Sequence, residues 1–295
     1  MSASRPGAWV VWTSAIRPKT LAAGVVPVCV GTSFAAADGR FMPLAATAAL
    51  AGALLLQIGC NFANDVSDFL SGADTDERLG PARATQKGWL TPREMIGATV
   101  VVLTAALGVG AYLIALGGWP IALIGLSGII CAVAYTGGPY PLGYHGLGDV
   151  VVFIFFGPFA VCGTYYVQVQ SLSPSVMLAS VPIGLLAAAI LVVNNLRDRV
   201  TDAKVGKRTL AVRRGARGAR TEYLTLLGVS FITPLIALAL GYGGTGWLLA
   251  LLALPLGVGC WNAVKRLDGA ALNPQLGATA RLTAVYGGLL AMGVW

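Results

Sequence analysis

Charged side chains are scarce in this chain. Only 11% of its 295 residues are Asp, Glu, Lys or Arg, whereas an ordinary soluble domain carries about 25%. Hydrophobic residues make up 56%, and the mean hydropathy is +0.76. Soluble chains longer than about 250 to 300 residues split into domains because a single core stops growing. The composition therefore predicts one integral membrane domain that spans residues 1–295.

Histidine and clustered cysteine are lacking as well. His145 is the only histidine, and the five cysteines show no Cys-x-x-Cys spacing. All five lie within or beside apolar stretches, where small core residues are found, whereas disulfide frameworks and zinc sites use clustered or loop cysteines. We therefore expect neither a zinc site nor a disulfide scaffold.

Long apolar runs are abundant, and a helix needs about 20 mostly apolar residues to cross a bilayer. The sequence predicts an all-α bundle of nine transmembrane helices, over Leu21–Ala37, Met42–Asn64, Met95–Leu116, Pro120–Tyr135, Leu147–Val167, Ser175–Leu196, Tyr223–Tyr242, Gly246–Val264 and Leu276–Trp295.

The basic residues predict the orientation of these helices. Of the 20 lysines and arginines, all except Arg40 fall on the same side as the N-terminus, as the positive-inside rule requires of the cytoplasmic side. The chain has a net charge of +8, but its basic residues lie in loops at the membrane, where they attract lipid headgroups. We therefore do not expect this charge to bind nucleic acid. The Ala-, Gly-, Val- and Leu-rich, lysine-poor composition is typical of a high-GC bacterium, whose plasma membrane is the expected location.

A polar cluster interrupts the apolar pattern at the end of the second span. Asn61, Asn64, Asp65 and Asp68 are spaced by 0, 3, 4 and 7 residues, which places them on one face of a helix. Asp74 follows in the next loop. Such offsets normally carry the apolar residues of a helix, so the cluster indicates a function.

The sixth span ends in a second cluster, in which Asn194, Asp198 and Asp202 share one helical face. An Asn-x-x-x-Asp pattern occurs in both clusters, at Asn64 and at Asn194. Both lie at the predicted cytoplasmic end of an even-numbered helix. This suggests an internal duplication of helices one to four in helices five to eight, with the ninth helix appended.

Carboxylates this close repel one another unless a cation neutralises them. One such cluster is equally well explained as a solvated helix end, but two clusters within apolar runs favour a functional site. Mg²⁺ suits them because it prefers oxygen ligands and bridges one or two carboxylates to substrate phosphates. The predicted metal ligands are Asn64, Asp65, Asp68, Asp74, Asn194, Asp198 and Asp202.

Basic residues follow each cluster and predict a site for a diphosphate, since Arg and Lys both bind phosphate oxygens. Attraction to lipid headgroups is the alternative, and it accounts for about half of the loop cations. The predicted diphosphate-binding residues are Arg83, Gln86, Lys87, Lys207 and Arg208.

These residues resemble a known family. Asn64-Asp65-x-x-Asp68 and Asp198-x-x-x-Asp202 are similar to the paired aspartate motifs of the UbiA superfamily of intramembrane prenyltransferases. Longer strings resemble its 1,4-dihydroxy-2-naphthoate polyprenyltransferase branch in menaquinone synthesis; they lie at 80–88, 135–149, 157–158, 163–166 and 194–210. One departure is Gly72, where the superfamily motif has a third aspartate, so Asp74 is assigned that role with less support.

The resemblance implies a nine-helix bundle around a central cavity. It also implies that Mg²⁺, held by Asp65, Asp68, Asp198 and Asp202 as the catalytic residues, binds the diphosphate of an allylic polyprenyl donor. Pyrophosphate would leave, and 1,4-dihydroxy-2-naphthoate would capture the allylic cation with loss of CO₂, giving demethylmenaquinone in its reduced, dihydroxy form.

The acceptor side rests on fewer signals. The Gly- and Pro-rich break between the fourth and fifth spans suggests a shaped, non-helical segment that lines a cavity. We assign Tyr135, Tyr144 and Asp149 to acceptor binding, with Lys19 as a partner for the acceptor carboxylate. The alternatives are a related enzyme acting on 4-hydroxybenzoate or homogentisate, and a cation-coupled transporter, whose ion sites would lie nearer the middle of the membrane.

Overall fold

The computed structural model describes residues 6–74 and 77–295, except for the side chain of Lys19, and all regular structure in those residues is helical. The α-helices are α1 (Ala8–Ile16), α2 (Pro18–Ala37), α3 (Pro43–Leu70), α4 (Pro92–Ala134), α5 (Gly148–Ile154), α6 (Gly163–Val169), α7 (Pro174–Lys204), α8 (Leu210–Ala239), α9 (Leu254–Arg266) and α10 (Asn273–Met292).

The nine predicted membrane-crossing helices are confirmed in the described residues. Seven continuous helical segments are long and apolar enough to cross a membrane: Thr20–Ala37, Pro43–Leu70, Pro92–Ala134, Gly148–Val169, Pro174–Lys204, Leu210–Ala239 and Thr245–Arg266. One of them, α4, has 43 residues, about 65 Å of helix, which is twice the hydrocarbon thickness of about 30 Å. It breaks at Gly118, where φ is 64° and ψ is −153°, and so crosses twice. The 20 residues of α10 complete the set.

Several helices begin with residues that favour a helix N-terminus. Proline occupies the first turn of α2, α3, α4 and α7, where its missing N–H costs nothing. Thr91 and Glu94 form a reciprocal capping box at the start of α4. Thr209 caps α8 by accepting a hydrogen bond from the Val212 N–H.

Three helix boundaries differ clearly from the prediction. The second span continues as helix from its predicted end at Asn64 to Leu70, and the sixth continues from Leu196 to Lys204. The helix of the seventh span begins at Leu210 instead of Tyr223. Hydropathy falls at these points because the side chains become polar, although the backbone hydrogen bonds continue. Both polar clusters therefore lie on rigid helix.

Helix α7 lies at the centre of the bundle, where it packs against α8, α10 and α5. Its Ile183 and Leu186 side chains are fully buried. By contrast, Val101, Leu123 and Ile130 of α4 are exposed, as expected for side chains that face lipid.

A short helix precedes the first crossing and was not predicted, because its nine residues are too few to span a membrane. Val11 and Ala15 of α1 pack against Phe62 and Val66 of α3. The chain then turns at Arg17, which has a left-handed backbone with φ 56° and ψ 67°. Helix α1 thus covers the same end of α3 that carries the first polar cluster.

Between α5 and α6 the chain forms a wider π-helical segment, Phe155–Cys162, which contains Pro158. Such wide turns are rare and are often found at functional sites. Gly157 lies directly against α7, since a Cβ there would come within 2.9 Å of Gly184 Cα. This close approach places the phenylalanines of the segment beside the central cavity.

Candidate functional site between α3 and α7

One cavity of about 680 Å³ joins the C-terminal ends of α3 and α7. Its walls are mainly apolar and include Phe155, Phe156 and Phe159 of the π-helical segment. Its polar end brings together two amides, three carboxylates, four cations and two phenols: Asn64, Asn194, Asp68, Asp198, Asp202, Arg17, Arg78, Arg83, Lys207, Tyr135 and Tyr144. The structure thus places five of the seven predicted metal ligands around one space.

Asp68 makes more ion pairs and hydrogen bonds than the other carboxylates at this polar end. Its Oδ2 lies 2.6 Å from Arg83 Nη2, and its Oδ1 lies 3.0 Å from Lys207 Nζ. The Tyr144 hydroxyl donates a third hydrogen bond to Oδ1 at 2.5 Å. Lys207 also lies 4.6 Å above the Tyr144 ring centroid. Three chain segments therefore converge on one carboxylate.

Asp65 of the first cluster and Asp74 of the following loop do not line the cavity. Asp65 is 1% exposed and accepts hydrogen bonds from the backbone N–H groups of Ala84 and Thr85, both at 3.1 Å. Asp74 forms ion pairs with Arg78 at 2.7 Å and with Arg83 at 3.1 Å, and its burial raises its pKa above the ordinary value. Both carboxylates hold the loop between α3 and α4 in place.

The second cluster is organised by a neighbouring arginine. Arg197 donates to Asp198 through Nε at 2.8 Å and through Nη2 at 2.5 Å. It also donates to Asn194 Oδ1 at 2.8 Å. Asp202 lies two turns of helix beyond Asn194 and lines the same cavity. On the opposite wall, Asn64 Oδ1 accepts a hydrogen bond of 2.8 Å from Thr136.

The predicted diphosphate residues separate into two groups. Arg83 and Lys207 line the cavity and are engaged with Asp68. Lys87 and Arg208 are exposed and, like Gln86, are not among the lining residues. Arg208 instead donates its backbone N–H to the Tyr144 carbonyl at 2.8 Å, which joins the two loops.

The predicted acceptor residues also differ in position. Tyr135 and Tyr144 line the cavity. Burial, followed by the charge of Asp68, raises the pKa of Tyr144, so this phenol is a proton donor at neutral pH. Asp149 lies outside the lining and is buried at the start of α5, with no hydrogen-bond partner for its Oδ1 among the described residues. The side chain of Lys19 lies outside the described part of the chain.

Arg17 faces the cavity and was not predicted as a site residue. Its Nη2 is buried and has no hydrogen-bond partner in the described part of the chain. Burial and the nearby Arg83 and Arg78 lower the pKa of Arg17 to about 9, so it remains a cation at neutral pH. In the sequence, Arg17 stands out only as a basic residue before Pro18 at the start of the first span. The orientation of the helix in the membrane explains such a residue equally well.

Comparison with known proteins agrees with this geometry. The profile of the UbiA prenyltransferase family matches residues 24–279. The chain belongs to this family. It is 39% identical over 292 residues to the 1,4-dihydroxy-2-naphthoate octaprenyltransferase of Escherichia coli, covering 96% of this chain and 94% of that protein. The enzyme of the same name from Mycobacterium tuberculosis is 38% identical, with 96% and 93% covered.

Solved structures of UbiA homologues share the fold. The Archaeoglobus fulgidus homologue bound to GPP and Mg²⁺ superposes with a TM-score of 0.68 at 15% identity, covering 95% of this chain and 99% of that one. The Aeropyrum pernix homologue without ligand gives a TM-score of 0.69 at 15% identity, with 90% and 96% covered. The predicted UbiA-like bundle is therefore confirmed.

The donor set of this UbiA site matches Mg²⁺ in chemical type, because carboxylate and amide oxygens from two helix ends face one space. Among the described residues, no three acids, histidines or cysteines lie close enough to hold a metal ion by themselves. Mg²⁺ usually takes one or two carboxylates together with substrate phosphates. The residues present therefore fit a metal ion whose coordination shell is completed by the phosphate oxygens of the substrate.

Proposed function

We propose that this UbiA enzyme transfers a polyprenyl chain from an allylic diphosphate to 1,4-dihydroxy-2-naphthoate, with release of pyrophosphate and CO₂. The observation that carries this proposal is the single cavity, in which carboxylates and cations at one end continue into apolar walls. A diphosphate with an isoprenoid tail has the same division of polarity. The naphthoate relatives at 38–39% identity support the choice of acceptor.

The polar end would bind the diphosphate of the donor. Asp68, Asp198 and Asp202, with the Asn64 and Asn194 amides, would hold Mg²⁺, which supplies positive charge to the phosphate oxygens. Arg78, Arg83 and Lys207 surround the same space. These three cations would stabilise the negative charge that builds up on the departing pyrophosphate, where preorganised groups contribute most.

The apolar walls would hold the isoprenoid chain and exclude water. Phe155, Phe156 and Phe159 face the cavity from one side, and Leu113 and Ile121 of α4 face it from another. Exclusion of water matters because an allylic cation is otherwise captured by hydroxide or water. The electron-rich naphthalene ring would then be the nucleophile within reach.

Arg17 is our proposed anchor for the acceptor carboxylate. A buried guanidinium nitrogen without a hydrogen-bond acceptor is costly, and a carboxylate can accept from two donors of the guanidinium at once. Arg17 and Tyr135 both line the cavity. Tyr135 would position the acceptor ring.

The proposed location is the plasma membrane of a bacterium, with the polar end of the cavity at the cytoplasmic face. Thirteen of the 20 lysines and arginines lie at 78–93 and 197–220, that is, from the loop after α3 into α4 and from the end of α7 into α8. This placement favours the cytoplasmic side. Anionic lipid headgroups are the expected partners of the exposed arginines, and no nucleic-acid partner is expected.

Substitution of the second motif tests the proposal. Asp198→Ala should abolish prenyl transfer at saturating Mg²⁺, because it removes a carboxylate from the proposed metal site, while membrane insertion should be unchanged. Wild-type turnover in this variant, or wild-type activity that survives thorough chelation of divalent metal, would contradict the assigned site.

A further inference from the structure

We propose that Arg197 is a positioning residue, which orients Asp198 and Asn194 toward the cavity and couples them to the loop between α3 and α4. This inference rests on the proposed function, since it concerns how the second motif presents its oxygens. Arg197 does not line the cavity, so its effect passes through the residues that it holds.

The contacts of Arg197 define the orientation of the second motif. Its side chain is 1% exposed. Nε and Nη2 hold both oxygens of Asp198, and Nη2 also reaches Asn194. The side chains of Asp198 and Asn194 have only a few rotamers in which they can accept hydrogen bonds from the same planar guanidinium. A lysine ammonium is a point charge and does not impose this geometry.

The third nitrogen of the guanidinium connects the motif to two other elements. Nη1 donates to Asn273 Oδ1 at 3.0 Å, at the first residue of α10. The Asn273 amide in turn donates to the Leu79 carbonyl at 2.9 Å, in the loop that follows α3. The position of this loop is therefore linked to Asp198 through two side chains.

Gly80 provides a second contact between this loop and Arg197. A Cβ at Gly80 would lie 2.7 Å from Arg197 Nη2 and 3.1 Å from Cζ. The guanidinium has little freedom to withdraw because hydrogen bonds hold it from three directions. Even a methyl group on the loop should thus displace the arginine and the carboxylate that it holds.

The electrostatics explain why an arginine is needed here. Asp198 and Asp202 are one turn apart on α7, and Asp68 lines the same cavity. Without a resident cation these carboxylates would repel one another and turn apart. Groups that orient metal ligands in this way typically alter metal affinity by about 10- to 100-fold when they are removed.

The test measures binding, not turnover. Purified full-length protein is titrated with Mg²⁺ in the presence of geranyl thiolodiphosphate, an unreactive analogue of an allylic diphosphate, and the Mg²⁺ concentration for half-maximal analogue binding is recorded. Arg197→Lys should raise that concentration about tenfold or more. Gly80→Ala, which leaves Arg197 itself intact, should shift it in the same direction.

Two controls separate positioning from general stability. Arg220 is also anchored to a loop, through the Val264 and Leu267 carbonyls and Asp268, but it is not among the cavity-lining residues. Gly277 on α10 has open space around a Cβ. Arg220→Lys and Gly277→Ala should keep the wild-type Mg²⁺ dependence, even if the melting temperature falls.

Wild-type Mg²⁺ dependence in both Arg197→Lys and Gly80→Ala would overturn the inference. A shift in Arg220→Lys equal to that in Arg197→Lys would do so as well. If Arg197→Lys does not fold, Gly80→Ala decides alone. Failure of the wild-type protein to bind the analogue with any divalent metal would instead contradict the proposed function.

Discussion

At the scale of the residue, the polar positions of α3 divide between two tasks. A helix turns by about 100° per residue, so Asn61 and Asp65 lie at one edge of the polar stripe and Asn64 and Asp68 at the other. Asn61 and Asp65 face α1 and the loop between α3 and α4. Asn61 donates a hydrogen bond of 2.9 Å to the carbonyl of Ile16, the last residue of α1. The second pair faces the cavity.

Substitution of Asp65 and of Asp68 should therefore have different effects. Asp68→Asn removes the charge that holds Arg83 and Lys207, and should lower turnover about 100-fold or more. Asp65→Asn leaves one of the two loop N–H groups without an acceptor, at a cost of about 1–3 kcal/mol.

Thermal unfolding and steady-state turnover, measured on the same preparations, separate the two effects. We expect Asp65→Asn to lower the melting temperature and to lose activity in proportion to the folded fraction. Full stability with lost turnover in Asp65→Asn would show that Asp65 belongs to the reacting site instead.

Replacement of Arg17 should affect the acceptor more than the donor. Loss of a buried charge partner costs about 2 kcal/mol or more, so Arg17→Gln should raise the KM for the naphthoate about 30-fold. The KM for the polyprenyl diphosphate should stay near its wild-type value. Arg40→Gln, at an exposed position outside the cavity lining, is the matched control. A rise in the donor KM alone would assign Arg17 to the diphosphate.

The sequence predicted which residue types form the site but not which of them share the cavity. Spacing placed four polar residues on one face of α3, yet that face is wide enough to contact two partners. Asp65 and Asp74 bind the loop because the loop folds back over α3, which is a long-range contact that periodicity does not contain. Arg17 was missed for the same reason, since only the packing of α1 turns it toward the cavity.

At the scale of the element, the break in α4 separates two membrane crossings. Gly118 has φ 64° and ψ −153°, a region that is essentially restricted to glycine. Pro120 follows and lacks an N–H to continue the helix. The sequence predicted two spans here because a Gly-Gly-Trp-Pro stretch separates two apolar runs.

Gly118→Ala should destabilise this corner, since a Cβ is strained in that conformation by about 1–3 kcal/mol. We expect a lower melting temperature in detergent for this variant. Gly108→Ala, on the same helix with open space around a Cβ, should keep or slightly raise the wild-type value. Equal melting temperatures for the two variants would show that α4 tolerates an ordinary backbone at residue 118.

Helix existence was predictable from hydropathy, whereas helix ends were not. The apolar runs mark where a helix faces lipid or core, and the nine crossings follow from them. The last turns of α3 and α7 carry polar side chains because they face a cavity, so hydropathy placed the ends too early. The nine residues of α1 show no membrane-length signal, because this helix is stabilised by its packing against α3.

At the scale of the whole molecule, the site lies where the two proposed halves meet. Helix α3 packs most extensively on α4, and α7 on α8, and each of α3 and α7 ends in an Asn-x-x-x-Asp pattern. This parallel supports the prediction of an internal duplication of a four-helix unit, which remains a prediction. A site built from both halves would explain why each motif supplies only part of the proposed ligand set.

The predicted orientation has a direct test in intact bacterial cells. Arg40→Cys should react with a membrane-impermeant maleimide added outside, whereas Lys87→Cys should react only after the cells are permeabilised. The wild-type protein is the control, since its five cysteines lie within membrane-crossing segments. Labelling of Lys87→Cys in intact cells would place the polar end of the cavity on the outer face.

The mass of the product decides whether the enzyme transfers a prenyl group to a dihydroxynaphthoate. Purified protein is incubated with a polyprenyl diphosphate, Mg²⁺, and an equimolar mixture of 1,4-dihydroxy-2-naphthoate, 4-hydroxybenzoate and homogentisate. We expect one main product, a prenylated naphthalene that has lost its carboxylate, with one pyrophosphate released per product. A prenylated hydroxybenzoate or homogentisate as the main product, or a naphthalene product that keeps its carboxylate, would contradict it.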